Sequence, residues 1–592
     1  MATLVPRDLK TAPGVRPADA QVGEKLGQQL PEADWVYYNS PKHSDRPRFI
    51  VLSQHYGIVG VDVYDWSPLD IADVSPDRIR MVGSTTADPV SDLSRRLDGL
   101  RANLQGLQAR PAPYGLIVFP NFKDSDLGGK SWEEYLPPRL GVSGESLSNG
   151  QWMAFLKRMP QPLAPEAVNE IRGRLYPETQ FERVRLVQDP DQAERIEYRL
   201  RLDGEQEALA RSLGSGVTVL SGVAGSGKSL VLCARARFLA SEHEDWNIQI
   251  LCYNRALVRY LRALVGDGCQ QVSVNTFHFW AGALGIKLPF LSGDDADERM
   301  EAVVRSAIDR GVGAASCDAM LVDEGQDFPP SWIELACRAV KPKRGGMVIA
   351  TDMAQCIYCE HTTSPNCLPD EVNHVLLGRN YRNTEQIGKF ALYTVFGTLG
   401  NAVRARESSD GTRTPAPAEF ATVGERVQVV YAGCWDEQAE FIAKEITRLV
   451  TERRATYRDI AVLYTQRPGI EKRLRPALEL VEVPYFCVGR DAQSKNGLDV
   501  TENSVKLVTV HSAKGLEFPF VFIMGMEALK VPESIVDASE TDANLIRLAY
   551  VGMTRAQDVL YLTYTRHNPI LERAMKCTEW CDFRNYPTDY DF

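Results

Sequence analysis

An eight-residue segment, GVAGSGKS at residues 222–229, constrains the fold of this 592-residue chain more than any other feature. An apolar, β-rich run at 217–220 precedes it, and an amphipathic run at 230–240 follows it. Glycines let backbone N–H groups point toward phosphate oxygens, and the N-terminus of the following helix adds partial positive charge. A strand, a glycine-rich turn and a helix in this order therefore predict a phosphate-binding loop in an α/β sheet.

The side chains of this segment suit a triphosphate bound with a magnesium ion. Lys228 is expected to lie against the β- and γ-phosphates, and the Ser229 hydroxyl is expected to bind Mg²⁺. The residues expected to surround the phosphates are Gly222, Gly225, Ser226, Gly227, Lys228 and Ser229.

An acidic pair follows another apolar run, at 319–322, in the sequence DEGQD. Ligands of open α/β sheets bind at such strand ends. Asp323 is placed to hold Mg²⁺, directly or through water, and Glu324 to orient and deprotonate an attacking water. A solvated acidic loop is the alternative, and the presence of the phosphate loop favours the catalytic interpretation.

Apolar runs alternate with amphipathic stretches along the chain after residue 203. The runs lie at 217–220, 248–253, 319–322 and 347–350 and, after a Pro/Thr/Ser-rich break at 407–417, at 427–431, 460–464, 505–510, 520–523 and 559–564. This alternation is typical of parallel sheets that are covered by helices on both faces. The sequence therefore predicts two successive α/β domains.

Six segments between residues 203 and 567 together resemble the ordered motifs of the UvrD/Rep-like superfamily 1 helicases. They are GVAGSGKS, VDEGQD, TDMAQCIY, LLGRNYRN, VTVHSAKGLEF and LAYVGMTRA. The resemblance implies two RecA-like P-loop domains with parallel sheets. The first would span 200–375 and contain a short insertion near 281–316, and the second would span 376–592. It also implies a motor that uses ATP and Mg²⁺ and moves 3′ to 5′ along single-stranded nucleic acid, DNA rather than RNA.

The resemblance also implies roles for residues outside the phosphate loop. Arg382 and Arg555 would reach the transferred phosphate from the second domain, where a guanidinium suits the task because it is always charged and binds two oxygens at once. Gln355 would sense the γ-phosphate. The residues placed on the rest of the nucleotide are Gln206 at the adenine edge, Tyr381 on the adenine face and Glu517 at the ribose or triphosphate.

Contacts to the nucleic-acid strand are marked by two further segments, 252–262 and 274–280, which match strand-contacting motifs of the same family. They supply Arg255 and His278, together with Phe277 and Trp280, whose rings either stack on bases or belong to the hydrophobic core. The resemblance gives His511 a coupling role between the strand and the ATP site.

The first 190 residues contain strand-like runs at 49–52, 58–63 and 116–120 and a helical pattern at 92–107. The segments around these strands resemble a nuclease-related (NERD) domain, which implies a restriction-endonuclease-like α/β fold.

The acidic site that such a nuclease needs is degraded in this sequence. Arg48 stands where the resemblance requires an acid on the first strand. On the second strand the resemblance requires an acid and, two residues later, a lysine, but Asp62 has Tyr64 at that later position. Glu24 and Asp62 alone make a poor two-metal site. The N-terminal domain is therefore expected to be inactive and to bind DNA or a partner protein.

Composition limits the partners. The net charge of −11 argues against a protein that coats nucleic acid over its whole surface, but not against a local groove. No apolar run approaches the roughly 18 residues needed to cross a bilayer. The start of the chain has no signal-like stretch, so a cytoplasmic protein without a membrane partner is expected.

Two alternatives to a translocating motor remain at this point. Relatives carry bulky insertions that act on duplex DNA, whereas this chain offers only 281–316 for the first insertion and nothing comparable for the second. Strand separation is therefore in doubt, which favours a switch gated by ATP and nucleic acid that regulates a partner. The second alternative is an active nuclease-helicase.

Overall fold

The computed structural model divides the chain into two units. The first comprises Met1–Phe181 and Arg201–Gly214, and the second comprises Glu182–Leu200 and Ser215–Phe592. The structure describes all residues except 7–8, 11–14, 41–44, 76–77, 83–85, 108–111, 128–140, 159–160, 177–203, 254, 289–295, 353–367, 369–370, 397–418, 465–468, 488–501, 529–539 and 591–592. Residues 201–214 belong to the first unit, whereas the resemblance to helicases implies that they belong to the following domain.

The first unit is built on a mixed six-stranded sheet in the order β1-β2-β3-β4-β8-β9. Its centre is apolar because the β-branched and aromatic side chains of β3 and β4 are buried on both faces. The β2, β3 and β4 strands pair antiparallel, and the remaining neighbours pair parallel. The strands are β1 (Thr3–Val5), β2 (Trp35–Tyr38), β3 (Phe49–Ser53), β4 (Gly57–Val63), β8 (Tyr114–Phe119) and β9 (Gly141–Ser143).

Helices and a small antiparallel sheet complete the first unit. Proline in the first turn begins three of the helices, and Asp88 caps one of them by accepting the Ser91 N–H at 2.9 Å. The helices are α1 (Pro17–Gln29), α2 (Pro89–Asn103), α3 (Gly144–Ser148), α4 (Met153–Arg158), α5 (Pro165–Leu175) and α6 (Gly204–Ser212), and the small sheet holds β5 (Ile71–Ser75), β6 (Arg78–Met81) and β7 (Thr86–Ala87).

The second unit contains two larger sheets. In the first of them all neighbours are parallel, in the order β12-β11-β13-β14-β10-β15. Its strands are β10 (Val217–Gly222), β11 (Ile248–Cys252), β12 (Val272–Thr276), β13 (Ala319–Val322), β14 (Gly346–Thr351) and β15 (Val372–Leu377). Its helices are α7 (Lys228–Glu242), α8 (Arg255–Val265), α9 (Phe277–Ala283), α10 (Ala296–Asp309) and α11 (Pro330–Arg338).

The second sheet of this unit has seven parallel strands in the order β20-β21-β19-β22-β23-β18-β24. A separate parallel pair, β16 (Arg379–Thr384) with β17 (Glu419–Thr422), lies beside it. The strands of the large sheet are β18 (Val427–Tyr431), β19 (Ile460–Tyr464), β20 (Tyr485–Cys487), β21 (Val505–Thr509), β22 (Phe518–Met524), β23 (Ala556–Tyr564) and β24 (Cys581–Asn585). The helices are α12 (Glu385–Phe396), α13 (Trp435–Thr451), α14 (Ile470–Leu480), α15 (Glu540–Met553) and α16 (Pro569–Ala574).

The predicted fold class is confirmed for the second unit, whose two parallel sheets are of the RecA-like α/β type. The strands predicted at 319–322, 427–431 and 460–464 have the observed bounds. Edge strands β12, β15, β20 and β24 were not predicted, because polar residues interrupt β12, β15 and β24, and β20 is only three residues long. None of the helices in the described part of the chain has the length and apolar character that crossing a bilayer requires.

Candidate functional site

The glycine-rich segment forms a turn between β10 and α7. Gly225 and Gly227 have φ angles of 76° and 84°, in the left-handed region that glycine adopts without strain. The Lys228 ammonium lies over the turn, where it donates to the carbonyls of Gly222 at 2.8 Å and Val223 at 2.9 Å. The turn therefore has the backbone shape and the cation expected of a phosphate loop.

Two oxygen ligands suited to a divalent cation meet beside this turn. The Ser229 hydroxyl donates to Asp323 Oδ2 at 2.7 Å, and Asp323 follows the C-terminal end of β13. Burial, together with the charge of neighbouring Glu324, raises the pKa of Asp323 to about 6. A hydroxyl and a carboxylate at this spacing are the hard oxygen donors that Mg²⁺ uses in nucleotide sites, so the pair fits the predicted metal.

Glu324 occupies the next position with a φ of 55°, an uncommon conformation for a residue with a side chain. Gln326 Nε2 donates to its carboxylate, and Gln326 Oε1 accepts the backbone N–H of Asp352 at 2.9 Å. Burial opposes ionisation of Glu324, but the charges of Lys514 and Lys228, with a smaller effect of Arg555, outweigh it. The pKa of Glu324 is therefore lowered, which keeps it available as a base.

The segment that carries Tyr381 and Arg382 lies directly against the phosphate loop. The Tyr381 N–H donates to the Gly225 carbonyl at 2.9 Å, and a Cβ at Gly225 would collide with Arg382 and Asn380. The Arg382 guanidinium pairs with the Glu517 carboxylate. A residue larger than glycine at 225 would separate the loop from this arginine.

Arg555 is buried at the N-terminal end of β23. Its guanidinium donates to the carbonyls of Val551 at 3.0 Å and Leu516 at 3.1 Å. Burial, together with the neighbouring positive charge of Arg382, lowers the pKa of Arg555 to about 10. The two arginines predicted to act together therefore lie close enough to influence each other, in surroundings that an anion would stabilise.

A buried ion pair between the two sheets was not predicted from the sequence. Lys514 Nζ donates to both carboxylate oxygens of Asp327, at 2.7 and 2.6 Å, and both side chains are almost fully buried. Asp327 lies in the acidic segment after β13, and Lys514 lies in the loop before β22. The only sequence signal was their presence within two of the six ordered segments.

The three other residues predicted to contact the nucleotide are Tyr381, Gln206 and Gln355. Tyr381 is buried, and the Arg379 guanidinium lies 5.5 Å from the centre of its ring. Gln206 is buried on α6 in the first unit. Gln355 lies outside the described residues.

Three of the residues predicted to contact the nucleic-acid strand lie on α9, where two are buried and one is exposed. Phe277 is fully buried and stacks on Trp332 with ring centres 4.0 Å apart, and Trp280 is buried in the same core. The structure therefore selects the core alternative for these two rings, because their faces are covered by protein. His278 is exposed at the same end of α9.

Phe279, which was not among the predicted strand-contacting residues, is 67% exposed. It follows His278 on the outer face of α9, and its N–H is capped by the Thr276 hydroxyl at 3.3 Å. The signal for it was present in the segment FHFW, where a helix that buries residues 277 and 280 must expose 278 and 279. Arg255 begins α8, and its side chain lies outside the part of the chain that the structure describes. His511 is half-buried, and burial lowers its pKa.

The residues predicted to form a degraded nuclease site in the first unit take part in ion pairs. Asp62 is buried on β4 and accepts the Arg48 N–H at 3.0 Å and the Arg96 guanidinium at 2.6 Å. Glu24 pairs with Lys10 at 2.7 Å. Among the residues that the structure describes, no three His, Cys, Asp or Glu side chains are grouped to hold a metal ion.

Comparison with known proteins identifies one segment of the chain. Residues 490–567 match the model of the UvrD-like helicase C-terminal domain. The ATP-dependent DNA helicase PcrA of Staphylococcus aureus strain Mu50 is 49% identical over 76 residues, which are 12% of this chain and 10% of that protein. The PcrA of Staphylococcus epidermidis strain ATCC 12228 is 52% identical over 66 residues, 11% of this chain and 9% of that protein.

The chain thus matches about a tenth of the length of these relatives. The matched segment includes β21, β22 and β23 and carries His511, Lys514, Glu517 and Arg555. This part of the second sheet is therefore similar to the C-terminal domain of UvrD-like helicases.

Proposed function

We propose that this protein is an ATP-hydrolysing DNA translocase of the UvrD-like superfamily 1 type. The observation that carries the proposal is the direct contact between the phosphate loop and the arginine segment, through the hydrogen bond from Tyr381 N–H to Gly225 O. It brings Lys228, which follows β10, and Arg382, which lies on β16, to a single cleft. A nucleotide held there would be contacted by both halves at once.

The cleft side chains supply the chemistry of phosphoryl transfer to water. Lys228 exchanges its loop carbonyls for the β- and γ-phosphate oxygens, which are stronger acceptors because they are charged. Glu324 orients the attacking water and accepts its proton. Arg382 and Arg555 neutralise the charge that develops on the transferred group, a contribution of roughly 10³–10⁵ in rate. Mg²⁺, held by Ser229 and Asp323, would add further charge neutralisation between the phosphates.

Closure of the cleft would depend on the γ-phosphate because the lysine and the arginines come from different sheets. Hydrolysis and phosphate release would remove the group that they share. Alternate grip on a strand by the two halves would then turn opening and closing into steps. The exposed ring of Phe279 beside His278 offers a surface on which a base could stack.

The substrate class is single-stranded DNA, with 3′ to 5′ movement, as the resemblance implies. The names of the matched relatives, which describe DNA helicases, support DNA over RNA. The segment between α9 and β13 provides one longer helix, α10, which is a small insertion beside those expected to act on duplexes. We therefore propose translocation without processive unwinding by this chain alone.

ATP hydrolysis with and without a single-stranded oligodeoxynucleotide tests the proposal. We expect single-stranded DNA to stimulate turnover, and an oligonucleotide with biotin at its 5′ end to lose bound streptavidin faster when ATP is present. An ATP-gated switch would hydrolyse ATP without displacing streptavidin. A chain whose hydrolysis does not respond to either DNA or RNA would contradict the proposal.

A further inference from the structure

Two buried asparagines flank the Tyr381–Arg382 dipeptide. Asn380 is 2% exposed and Asn383 is 0% exposed. A primary amide is costly to bury unless its donors and acceptor are satisfied. Their hydrogen bonds therefore show what these positions do in the fold.

Asn380 shapes the backbone that carries Arg382. Its Oδ1 accepts the N–H groups of Arg382 at 2.9 Å and Asn383 at 3.0 Å, and its Nδ2 donates to Asn383 Oδ1 at 3.1 Å. The amide thus closes a tight turn around the base of the arginine side chain.

Asn383 joins this turn to the segment of the second arginine. Its Nδ2 donates to the carbonyls of Thr554 at 3.1 Å and Ala556 at 2.5 Å, the residues on either side of Arg555. These partners lie more than 170 residues away in sequence, so the bonds serve no local turn. One planar amide therefore spans the backbone position from which Arg555 projects.

A second connection joins the same two arginines. The Leu516 carbonyl accepts from Arg555, and the adjacent Glu517 carboxylate pairs with Arg382. The N–H of Phe518 donates to the Arg555 carbonyl at 3.0 Å. Glu517 is an ion-pair partner with a flexible side chain, whereas Asn383 binds backbone on both sides of Arg555.

We propose that Asn383 is a positioning residue that holds Arg382 and Arg555 in a fixed register, so that the two guanidiniums engage the γ-phosphate as one unit. This inference rests on the proposed function, because it assumes that both arginines contact the transferred phosphate. The physical reason is that like charges placed side by side repel, and a rigid backbone tie keeps them together until the anion arrives. Asn380 supports the same turn from the Arg382 side.

Steady-state ATP hydrolysis by the full chain with saturating oligo(dT) tests the role of Asn383. We expect Asn383→Ala to lower kcat on the order of 100-fold, the effect of a misplacement of about 1 Å. The KM for ATP should change by less than about threefold, because Lys228 and the loop that bind the ground state are untouched. A merely structural loss of folded protein would instead lower the active fraction and leave the kcat of that fraction unchanged.

A thermodynamic cycle isolates the coupling between the two arginines. In an Arg382→Ala or Arg555→Ala background, Asn383→Ala should cost less than about threefold in kcat, because the pair that it holds together is already broken. A full multiplicative loss in both backgrounds would overturn the positioning role. Wild-type turnover of the single arginine variants would instead overturn the proposed function.

Gln438 provides the matched control. Its buried amide accepts from the Gly525 N–H at 3.0 Å and from the Thr563 hydroxyl at 2.6 Å. Both partners lie at the C-terminal ends of β22 and β23, whereas Arg555 precedes the N-terminal end of β23. Gln438→Ala should therefore lose a comparable amount of buried hydrogen bonding while keeping kcat. If Asn383→Ala does not fold, Asn383→Asp keeps the volume and the acceptor and removes at least one donor. Wild-type kcat in a folded Asn383→Asp variant would count against the proposal.

Discussion

The charged groups of the cleft are placed close together. Arg555 is buried beside Arg382, and the pKa of Arg555 falls to about 10 as a result. Glu324 keeps a lowered pKa because Lys514 and Lys228 outweigh the effect of its burial. At neutral pH the cleft therefore presents fixed positive groups beside the ionised Glu324 carboxylate, an arrangement that favours binding a polyphosphate and activating water.

At this scale we predict that binding and hydrolysis can be separated. Lys228→Ala should lower ATP turnover at least ~100-fold, because the cation over the phosphates is lost. Glu324→Gln should lower turnover by a similar factor of ~100 or more while retaining bound ATP, because the amide cannot accept the proton of water. Turnover and filter-bound nucleotide measure the two effects.

Lys444→Ala serves as the control for loss of a lysine, since Lys444 pairs with Glu440 on the exposed face of α13. It should hydrolyse ATP as the wild type does. Equal turnover of Glu324→Gln and the wild type would remove Glu324 from the proposed mechanism.

Helix α9 shows how a short element divides its side chains between core and surface. Phe277 and Trp280, three residues apart, lie in the core, whereas His278 and Phe279 are exposed between them. The Thr276 hydroxyl caps the helix and fixes the start of this pattern. The exposed Phe279 ring next to the His278 imidazole is the feature of this helix that suits stacking on a nucleobase.

We predict opposite consequences for the two phenylalanines of this helix. Phe279→Ala should weaken binding of single-stranded DNA by about 1–3 kcal/mol, the value of one base stack, with little loss of stability. Phe277→Ala should lower the free energy of unfolding by about 3–5 kcal/mol, because it opens a cavity beside Trp332. Fluorescence anisotropy measures the affinity for DNA, and urea unfolding measures the free energy of unfolding. Unchanged DNA affinity in Phe279→Ala would exclude contact between Phe279 and the bases.

Strand β4 of the first unit carries the residue on which a nuclease would depend. Asp62 is held by the Arg96 guanidinium and the Arg48 N–H, so protein cations and donors occupy the carboxylate. A metal ion would have to displace Arg96, and the described residues contain no group of three or more His, Cys, Asp or Glu side chains that could hold it. We therefore propose that the first unit is nuclease-derived and does not cleave DNA.

The corresponding prediction is that the protein leaves supercoiled plasmid intact with Mg²⁺ or Mn²⁺. Asp62→Ala should lower the free energy of unfolding by about 3–5 kcal/mol, because Arg96 would lose its partner in a partly buried site. Cleavage by the wild type that disappears in a folded Asp62→Ala variant would reverse this assignment.

At the level of the second unit, the ion pair between Asp327 and Lys514 links the acidic segment of one sheet to the other sheet. Burial raises the pKa of Asp327 to about 7 from its ordinary 3.8, although Lys514 opposes the shift. The Asp327 carboxyl therefore binds more protons in the folded chain than in the unfolded chain between these values. The contribution of Asp327 to stability falls as the pH rises through that range.

We predict that removing one partner of this ion pair lowers the free energy of unfolding more than replacing both partners with apolar residues. Asp327→Ala should lower the free energy of unfolding by about 3–5 kcal/mol, because the Lys514 ammonium is left buried without its carboxylate. The double variant Asp327→Leu with Lys514→Met should recover most of the stability but not the stimulation of ATP hydrolysis by DNA. Urea unfolding at several pH values and ATP turnover measure both, and an equal loss in the single and double variants would contradict the ion-pair explanation.

The parallel α/β class of the second unit, most of its central strands and the glycine-rich turn after β10 were predictable from sequence patterns alone. Continuous apolar runs and a glycine-rich turn are local patterns, and local backbone preferences and burial on both faces follow from them. The acidic pair after β13 was predictable for the same reason, since strand ends place side chains at one edge of a sheet.

Which distant side chains meet depends on the packing of the folded chain. The pairing of Lys514 with Asp327, the amide of Asn383 across Arg555, and the burial of Phe277 rather than Phe279 depend on how helices and sheets pack. Such contacts join residues far apart in sequence, and no periodicity along the chain encodes their distances. Packing also placed Asp62 against Arg96, where the sequence showed only a missing lysine.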